Sequence, residues 1–506
     1  MTRFRTSEPR LALAAILVLA ALLRLVGIRY GLPLAVLDPD ESNIVPRAWQ
    51  IGNGHLDPGW YDYPSFLMGL LAPVQAFFGA PSYLAARLVA VVIGLGGVGA
   101  TWWLGRRAYG AGAAIVGAAA VAVATTHVAY SRMAVTDVLL TLAVTCVLAL
   151  TVEGRLEWAG LAVGLAASAK YPGALAAVPV VVAGWGRWRA LGRAAGLAVA
   201  GFALTSPFVL IHAGTAWNDV SRVQRLSRAG WLGFENDPIT PVAYLDRLWV
   251  TIGPLLFVSA IGVMAAVVRR RRADLILLSF VGAYWLSLML QQAHFDRYVL
   301  PLVPVLAVLA GSLRAIVPVA LVALVIPLAW SARDARDLTR TDTRLLAEAW
   351  ISANVPRGDA VAADSSTIPL EGRTVIRLRL PGPGRPFDPE RNIDRLRGEG
   401  VRWVVVSGAV TDRVRAAAKL YPREVAFYDA LDRQATRAYE ISSATRGLAG
   451  PWVRVYRLYA NRSSTIATPS SSFDEVTSSA TASTDACAFA TATPWPAQAT
   501  IPASVM

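Results

Sequence analysis

Apolar runs of 15 to 25 residues, separated by single charges or short Arg clusters, fill the chain from Leu11 to Trp330. About 20 apolar residues cross a bilayer as a helix, so the pattern predicts a mostly α, polytopic transmembrane bundle. The first run, Leu11–Ile28, follows Arg3, Arg5 and Arg10. It reads as an uncleaved first span because Arg24 interrupts it and many more runs follow. Later uncharged runs are 88–105, 108–131, 138–152, 171–186, 194–218, 248–268, 275–295, 298–313 and 315–332. From Asp334 the pattern becomes that of a soluble domain. Residues 341–354 predict an amphipathic helix ended by Val355-Pro356, and 401–406 and 452–459 predict strands. Helical patterns near 388–398 and 410–420 alternate with them, predicting a small α/β domain.

Composition supports this division. The 506 residues are 55% hydrophobic and 16% charged, against roughly 45–50% and about 25% in soluble domains, which excludes an ordinary soluble globule. Net charge is +14, with Lys170 and Lys419 the only lysines. The Arg clusters sit in short loops between apolar runs, where membrane orientation explains them better than nucleic acid does. Cys146 and Cys487 make no plausible disulfide, and Cys-type metal clusters are excluded. His55, His127, His212 and His294 lack metal-ligand spacing.

Placing Arg106/Arg107, Arg187/Arg189/Arg193 and Arg269 to Arg272 on the cytoplasmic side with the N-terminus requires two adjustments. The run 63–80, broken by Pro64 and Pro73, must lie at the outer surface or re-enter. Residues 158–184 must form two half-helices meeting near Lys170-Tyr171-Pro172-Gly173. About eleven spans result, with 29–81, 213–247 and 331–506 outside. The expected domains are therefore 1–330 in the membrane, an extramembrane α/β domain over 331–460, and a disordered Ser/Thr-rich tail over 461–506.

Four polar clusters emerge on the outer side under this topology. The first is Asp38-Pro39-Asp40-Glu41 with Tyr61-Asp62-Tyr63-Pro64. Carboxylates beside lipid are costly, although acids also complement a helix N-terminus, where Asp40 or Ser42 could cap. The second holds Arg132 and Asp137; the following run 138–152 makes ~22 Å of helix against a ~30 Å core, so Asp137 is expected to be recessed. The third is Lys170, which either lines a polar cavity or snorkels to the interface. The fourth is His294-Phe295-Asp296-Arg297-Tyr298, readable as an interfacial pair in an aromatic belt or as a fixed cation near the acids.

Asp40-Glu41, Tyr63-Pro64, Arg132 with Asp137, Lys170-Tyr171 and Arg297-Tyr298-x-Leu-Pro301 occur in this order over about residues 10–330. In this pattern the chain resembles the GT-C superfamily of membrane glycosyltransferases, in its branch similar to protein O-mannosyltransferases and aminoarabinose transferases. The resemblance implies a GT-C-like bundle and transfer of a sugar from a polyprenyl-phosphate donor to a lipid, glycan or protein acceptor. It implies Asp40, Glu41 and Asp137 as catalytic residues, with Lys170, Arg297 and Arg132 on the donor phosphate. Asp38, Tyr63, Tyr171, His294 and Tyr298 are the expected substrate contacts. Asp38 stands beside Asp40 as a second candidate for the principal acid; register with the Asp-Glu pair favours Asp40. One displacement would invert the anomeric centre. Some members hold a divalent ion at an acidic pair, but no further ligand set is visible here, so no cofactor is assigned. Membrane lipids are expected partners and nucleic acid is not. The implied location is the cell membrane, multi-pass, with the site and C-terminal domain extracytoplasmic. The rival reading is a transporter or flippase, which predicts an internal repeat and polar residues at mid-membrane; neither is evident.

Overall fold

The computed structural model describes residues 8–459, apart from 366, 369, 371 and 446. The tail assigned to disorder, 461–506, lies outside the described residues. The chain divides into two compact units between Thr341 and Asp342.

The first unit is helical. Helix α1 is Glu8–Leu25, α2 Pro39–Gly52, α3 Phe66–Gln75 and α4 Tyr83–Ala108. At 10 residues α3 is ~15 Å long, short of a crossing. Ser82 caps α4, and Arg106 and Arg107 in its last turn complement the helix dipole. At 26 residues α4 is long and apolar enough to cross a membrane, as is the 24-residue helical stretch Arg314–Asp337. That stretch contains α17 (Val317–Ala323) and α18 (Val325–Asp337), and α18 runs through residue 330.

Several runs that read as single spans are broken. The run 108–131 becomes α5 (Ala111–Val123) and α6 (Thr125–Tyr130). The run 194–218 becomes α10 (Trp188–Thr205), α11 (Pro207–Ile211) and the first part of α12 (Ala213–Ala229), with the break at Ser206-Pro207. The run 248–268 is divided between α13 (Thr240–Ile252) and α14 (Leu255–Arg269), bent by 114°. Gly253 takes φ 56° at that corner, a conformation that glycine adopts without a Cβ penalty. The run 298–313 is a 3₁₀ turn, Asp296–Leu302, followed by α16 (Val303–Ala310). By contrast, α7 (Thr136–Val152) follows its run closely, whereas α15 (Arg272–Leu288) stops before the run 275–295 ends. The break expected near Lys170 is present: α8 ends at Ala169, Lys170 is extended, and a 3₁₀ turn at Tyr171–Ala176 leads into α9 (Ala177–Ala183).

A break among apolar helices frees carbonyls that must find donors. At the α5–α6 break, Arg24 donates to the Ala122 and Val121 carbonyls at 2.9 and 3.0 Å. Ser331 Oγ donates to the Val123 carbonyl at 2.8 Å. The polar residues of α1 and α18 thus complete the backbone of a helix pair otherwise packed in an apolar cluster. Close helix approach is made by glycine: a Cβ on Gly160 or Gly164 of α8 would fall 2.2 or 2.1 Å from a carbonyl of α10, at Ala194 and Ala198.

The second unit is α/β. Its five-stranded sheet has the order Val375–Leu378, Ala360–Asp364, Val401–Ser407, Val453–Arg457, Thr436–Ile441. The first three strands are parallel, and Val453–Arg457 runs antiparallel to both its neighbours. The expected helix at 341–354 is α19 (Thr343–Asn354), capped by Asp342. The pattern at 388–398 yields only α20 (Ile393–Gly398), because Asn392 caps it and Asp388 accepts local backbone N–H groups from Glu390 and Arg379. The pattern at 410–420 is α21 (Gly408–Ala416). Helix α22 (Pro422–Gln434) and the strands 360–364, 375–378 and 436–441 had no counterpart in the sequence reading. A fully buried triad joins this unit: Arg391 pairs with Asp364 at 2.7 Å, and Tyr428 donates to the other Asp364 oxygen at 2.8 Å.

Candidate functional site

Asp38, in the loop after α1, caps α2 by accepting the Asp40 N–H at 2.8 Å. Pro39 at the first helical position fixes the entering backbone, so Asp38 and Asp40 are held side by side at one helix end. The helix cap is Asp38 rather than the expected Asp40 or Ser42, which leaves the Asp40 side chain free for other partners. Asp40 Oδ2 accepts from Tyr63 OH at 3.0 Å and from Arg297 Nη1 at 2.8 Å. The same Arg297 nitrogen lies 3.4 Å from Asp38 Oδ2 and 3.9 Å from Asp137 Oδ2. Asp137, in the first turn of α7, takes Lys170 Nζ on its other oxygen at 2.6 Å. Lys170 Nζ sits 5.1 Å and 5.3 Å from the ring centroids of Tyr63 and Tyr298. A cation over two aromatic faces is stabilised by their quadrupoles.

Residues 38, 40, 63, 137, 170, 297 and 298, separated by up to 260 positions, thus form one cluster. Three carboxylates share two cations. Asp137 Oδ2 and Arg297 Nε are buried with no hydrogen-bond partner among the described residues. Asp40 Oδ1 accepts no hydrogen bond there either, since both its bonds fall on Oδ2. The cluster therefore keeps unfilled acceptor and donor positions beside its paired ones. Asp38 lies outside the segments long enough to span a membrane, and burial, then the neighbouring Asp40 charge, pushes its carboxyl up to about 8.

Other expected site residues lie elsewhere. Glu41 points away from Asp40 and pairs with Arg87 through both its oxygens. Arg132 donates through Nε and Nη2 to the Leu23 carbonyl at the end of α1. His294 lies between Asp237 and Thr240, at 3.1 and 3.2 Å. Tyr171 OH donates to the Tyr61 carbonyl at 2.9 Å, tying the Lys170 turn to the loop between α2 and α3.

Further residues complete the site's frame. Asp296 accepts from Tyr130 OH at 3.0 Å and from the Arg297 N–H at 2.8 Å, holding the backbone from which Arg297 projects. Arg87 marks the edge of the apolar run 88–105; its burial among polar partners was the signal that hydropathy could not supply. A hydroxyl cluster, Ser65, Ser168 and Ser206, joins the residues following Tyr63 to those preceding Lys170. Among the described residues no group of three or more His, Cys, Asp or Glu is arranged to hold a metal ion.

The fold carrying this cluster is that of the GT-C glycosyltransferases. The Archaeoglobus fulgidus oligosaccharyltransferase tethered with an acceptor peptide is similar at TM-score 0.60 and 14% identity, over 88% of this chain and 74% of that one. ArnT from Cupriavidus metallidurans bound to undecaprenyl phosphate is similar at TM-score 0.55 and 16% identity, over 90% of this chain and 99% of that one. The archaeal oligosaccharyltransferase AglB from Archaeoglobus fulgidus, in complex with an inhibitory peptide and a dolichol-phosphate, is similar at TM-score 0.55 and 11% identity, over 88% and 74%. No protein-family model and no curated protein matches the chain by sequence.

Proposed function

We propose that the protein is a membrane glycosyltransferase that moves a sugar from a polyprenyl-phosphate donor to a hydroxyl acceptor at the outer face, with inversion. The observation that carries this reading is the convergence of Lys170 and Arg297 on Asp40 and Asp137, with unfilled polar positions left in the cluster.

The acceptor oxygen forms its bond to the anomeric carbon as the bond from that carbon to the phosphate oxygen breaks. The electron pair leaves with the phosphate, and the acceptor proton passes to Asp40. Asp40 Oδ1 is the oxygen free to take it, while Tyr63 and Arg297 hold Oδ2 and fix the carboxylate plane. A general base so placed contributes typically ~10²–10⁴ in rate. Lys170 gives one N–H to Asp137 and has two more for the leaving phosphate. Fixed cations already oriented by carboxylates need no reorganisation when that charge develops. The supporting topology is a multi-pass protein of the cell membrane with about eleven spans, several of them broken, and with the cluster and the C-terminal α/β unit on the extracytoplasmic side.

The test supplies purified protein in lipid with a panel of polyprenyl-phosphate-linked sugars and follows donor consumption and release of polyprenyl phosphate. The expected result is turnover of at least one donor, reduced ~10²-fold or more by Asp40→Asn, with polyprenyl-phosphate binding retained. Equal turnover by wild type and Asp40→Asn protein would sink the assignment.

A further inference from the structure

Glu41 neighbours Asp40 in sequence, yet its carboxylate serves a different part of the molecule. Arg87 Nε and Nη2 grip its two oxygens at 2.8 and 2.7 Å, and both side chains are 0% exposed. The remaining Arg87 nitrogen, Nη1, donates to the Ile28 and Tyr30 carbonyls at 3.1 and 2.8 Å. Glu41 Oε1 also accepts the Ala134 N–H at 3.1 Å. One ion pair thus joins four segments: the chain leaving α1, the start of α2, the start of α4 and the loop before α7.

Two of those segments carry the acids of the site. Asp40 is one residue before Glu41, and Asp137 is three after Ala134. The clamp and the Arg297 hub are therefore two independent ties between the same pair of segments, one made of backbone and a buried ion pair, the other of the functional side chains.

We propose that Arg87 and Glu41 are positioning residues that set the separation of Asp40 from Asp137, and through Asp137 the place of Lys170. Their task in transfer rests on the glycosyltransferase reading; the clamp itself does not. Burying two charges is costly, and apolar residues would hold a helix end equally well. What the pair adds is direction: a bidentate guanidinium fixes a carboxylate's plane as well as its distance. Among the described residues the Glu41 carboxylate bonds to Arg87 and the Ala134 N–H and not to the side chains of Asp40, Asp137 or Lys170, so its effect on chemistry is indirect.

The experiment compares Arg87→Met, Arg87→Lys and Glu41→Gln with wild type in lipid. Turnover is measured per mole of monodisperse protein, undecaprenyl-phosphate binding is measured separately, and backbone hydrogen exchange is followed in detergent. Misplacing a reacting group by about 1 Å can cost ~10²-fold. Arg87→Met is therefore expected to lower kcat ~10²-fold with KM for the lipid donor little changed. Glu41→Gln, which still accepts the Ala134 N–H, is expected to recover part of that loss. Exchange is expected to quicken at 28–41 and 132–137 while α8 and α10 stay as in wild type. Wild-type kcat in monodisperse Arg87→Met protein would overturn the proposal, as would unchanged exchange in both segments. If Arg87→Met yields no folded protein, the double variant Glu41→Gln/Arg87→Gln removes both charges and keeps polar volume. It is expected to fold and to lose kcat, and wild-type kcat in it would be equally fatal. If wild type consumes none of the donors, the transferase reading fails, and the exchange result alone decides the clamp.

Discussion

Asp38 performs two tasks that pull against each other. As a cap it accepts the Asp40 N–H, and as a buried acid beside Asp40 it resists ionisation, with its carboxyl pushed up to about 8 by burial first and Asp40 second. Arg297 opposes this shift, while Asp137 adds to it. Folded protein therefore holds the Asp38 proton more tightly than the unfolded chain does. This contribution to stability is complete below the ordinary carboxylate range, near pH 4, and is lost as pH rises through about 8. Asp38→Asn keeps a capping side chain and removes the titration. Its thermal midpoint should fall less than that of wild type between pH 5 and pH 9; parallel curves would refute the linkage.

Arg297 is the most connected cation of the site, so its removal acts on folding before it acts on chemistry. Arg297→Ala leaves three buried carboxylates sharing Lys170 alone, a loss of ~3–5 kcal/mol for a broken buried pair. Lys170→Met frees only Asp137 and keeps the apolar stem. In heated membranes Arg297→Ala protein should aggregate well below wild type, whereas Lys170→Met protein should remain folded and bind polyprenyl phosphate weakly. At this scale the order of clusters along the chain was enough to bring Asp38, Asp40, Tyr63, Asp137, Lys170, Arg297 and Tyr298 to one list of candidates. It could not separate Arg132 or His294 from them, because sequence position reports a chain segment's location and not the direction its side chain takes. Arg87 escaped for the opposite reason: a lone charge at the edge of an apolar run reads as a boundary.

Among helices, hydropathy located apolar material and missed where it bends. Nothing in the apolar count of 248–268 distinguishes a straight helix from one that turns 114° at Gly253. The break at Lys170 was legible because a charge and a proline coincide there, and Ser206-Pro207 offered a similar sign that the length of the run outweighed. In the α/β unit, Val401–Ser407 was visible as a run of β-branched residues, but Ala360–Asp364 and Val375–Leu378, of five and four residues, are too short to establish a period. Close packing of α8 on α10 is testable directly. A Cβ at Gly164 would lie 2.1 Å from the Ala198 carbonyl oxygen, and backbone cannot yield as a side-chain tip can. Gly164→Val should destabilise the protein by ~1–3 kcal/mol or more, read as a lower midpoint of thermal aggregation in detergent; Gly196→Val, in open space, is the control and should melt like wild type.

At the scale of the whole chain, the two compact units have different sources of order. The second has its own sheet, its own buried ion pair and its own core. Residues 342–459 produced alone are expected to unfold cooperatively in urea. Asp364→Ala, which strands Arg391 in the interior, should lower that fragment's stability by ~3–5 kcal/mol. A non-cooperative melt of the unmodified fragment would show that the unit does not fold independently.

The first unit depends instead on distant helices repairing one another's backbone, and Arg24 gives that dependence a consequence for biosynthesis. Helix α1 is made before α5, and its guanidinium acquires the Val121 and Ala122 carbonyls only after nearly a hundred more residues have been synthesised. Until then a charge that ends fully buried has, of its native partners, only the Ala20 carbonyl of its own helix. In the multi-pass topology proposed above, α1 waits at a polar seam of the insertion machinery, or with its Arg24 end at the lipid headgroups, and docks late. Replacing α1 with an uncharged apolar anchor of equal length should speed insertion, as followed by glycosylation-site mapping on stalled chains, while the finished protein loses resistance to protease near residues 121–124. A chimera as resistant as wild type would mean that the early helix is only an anchor.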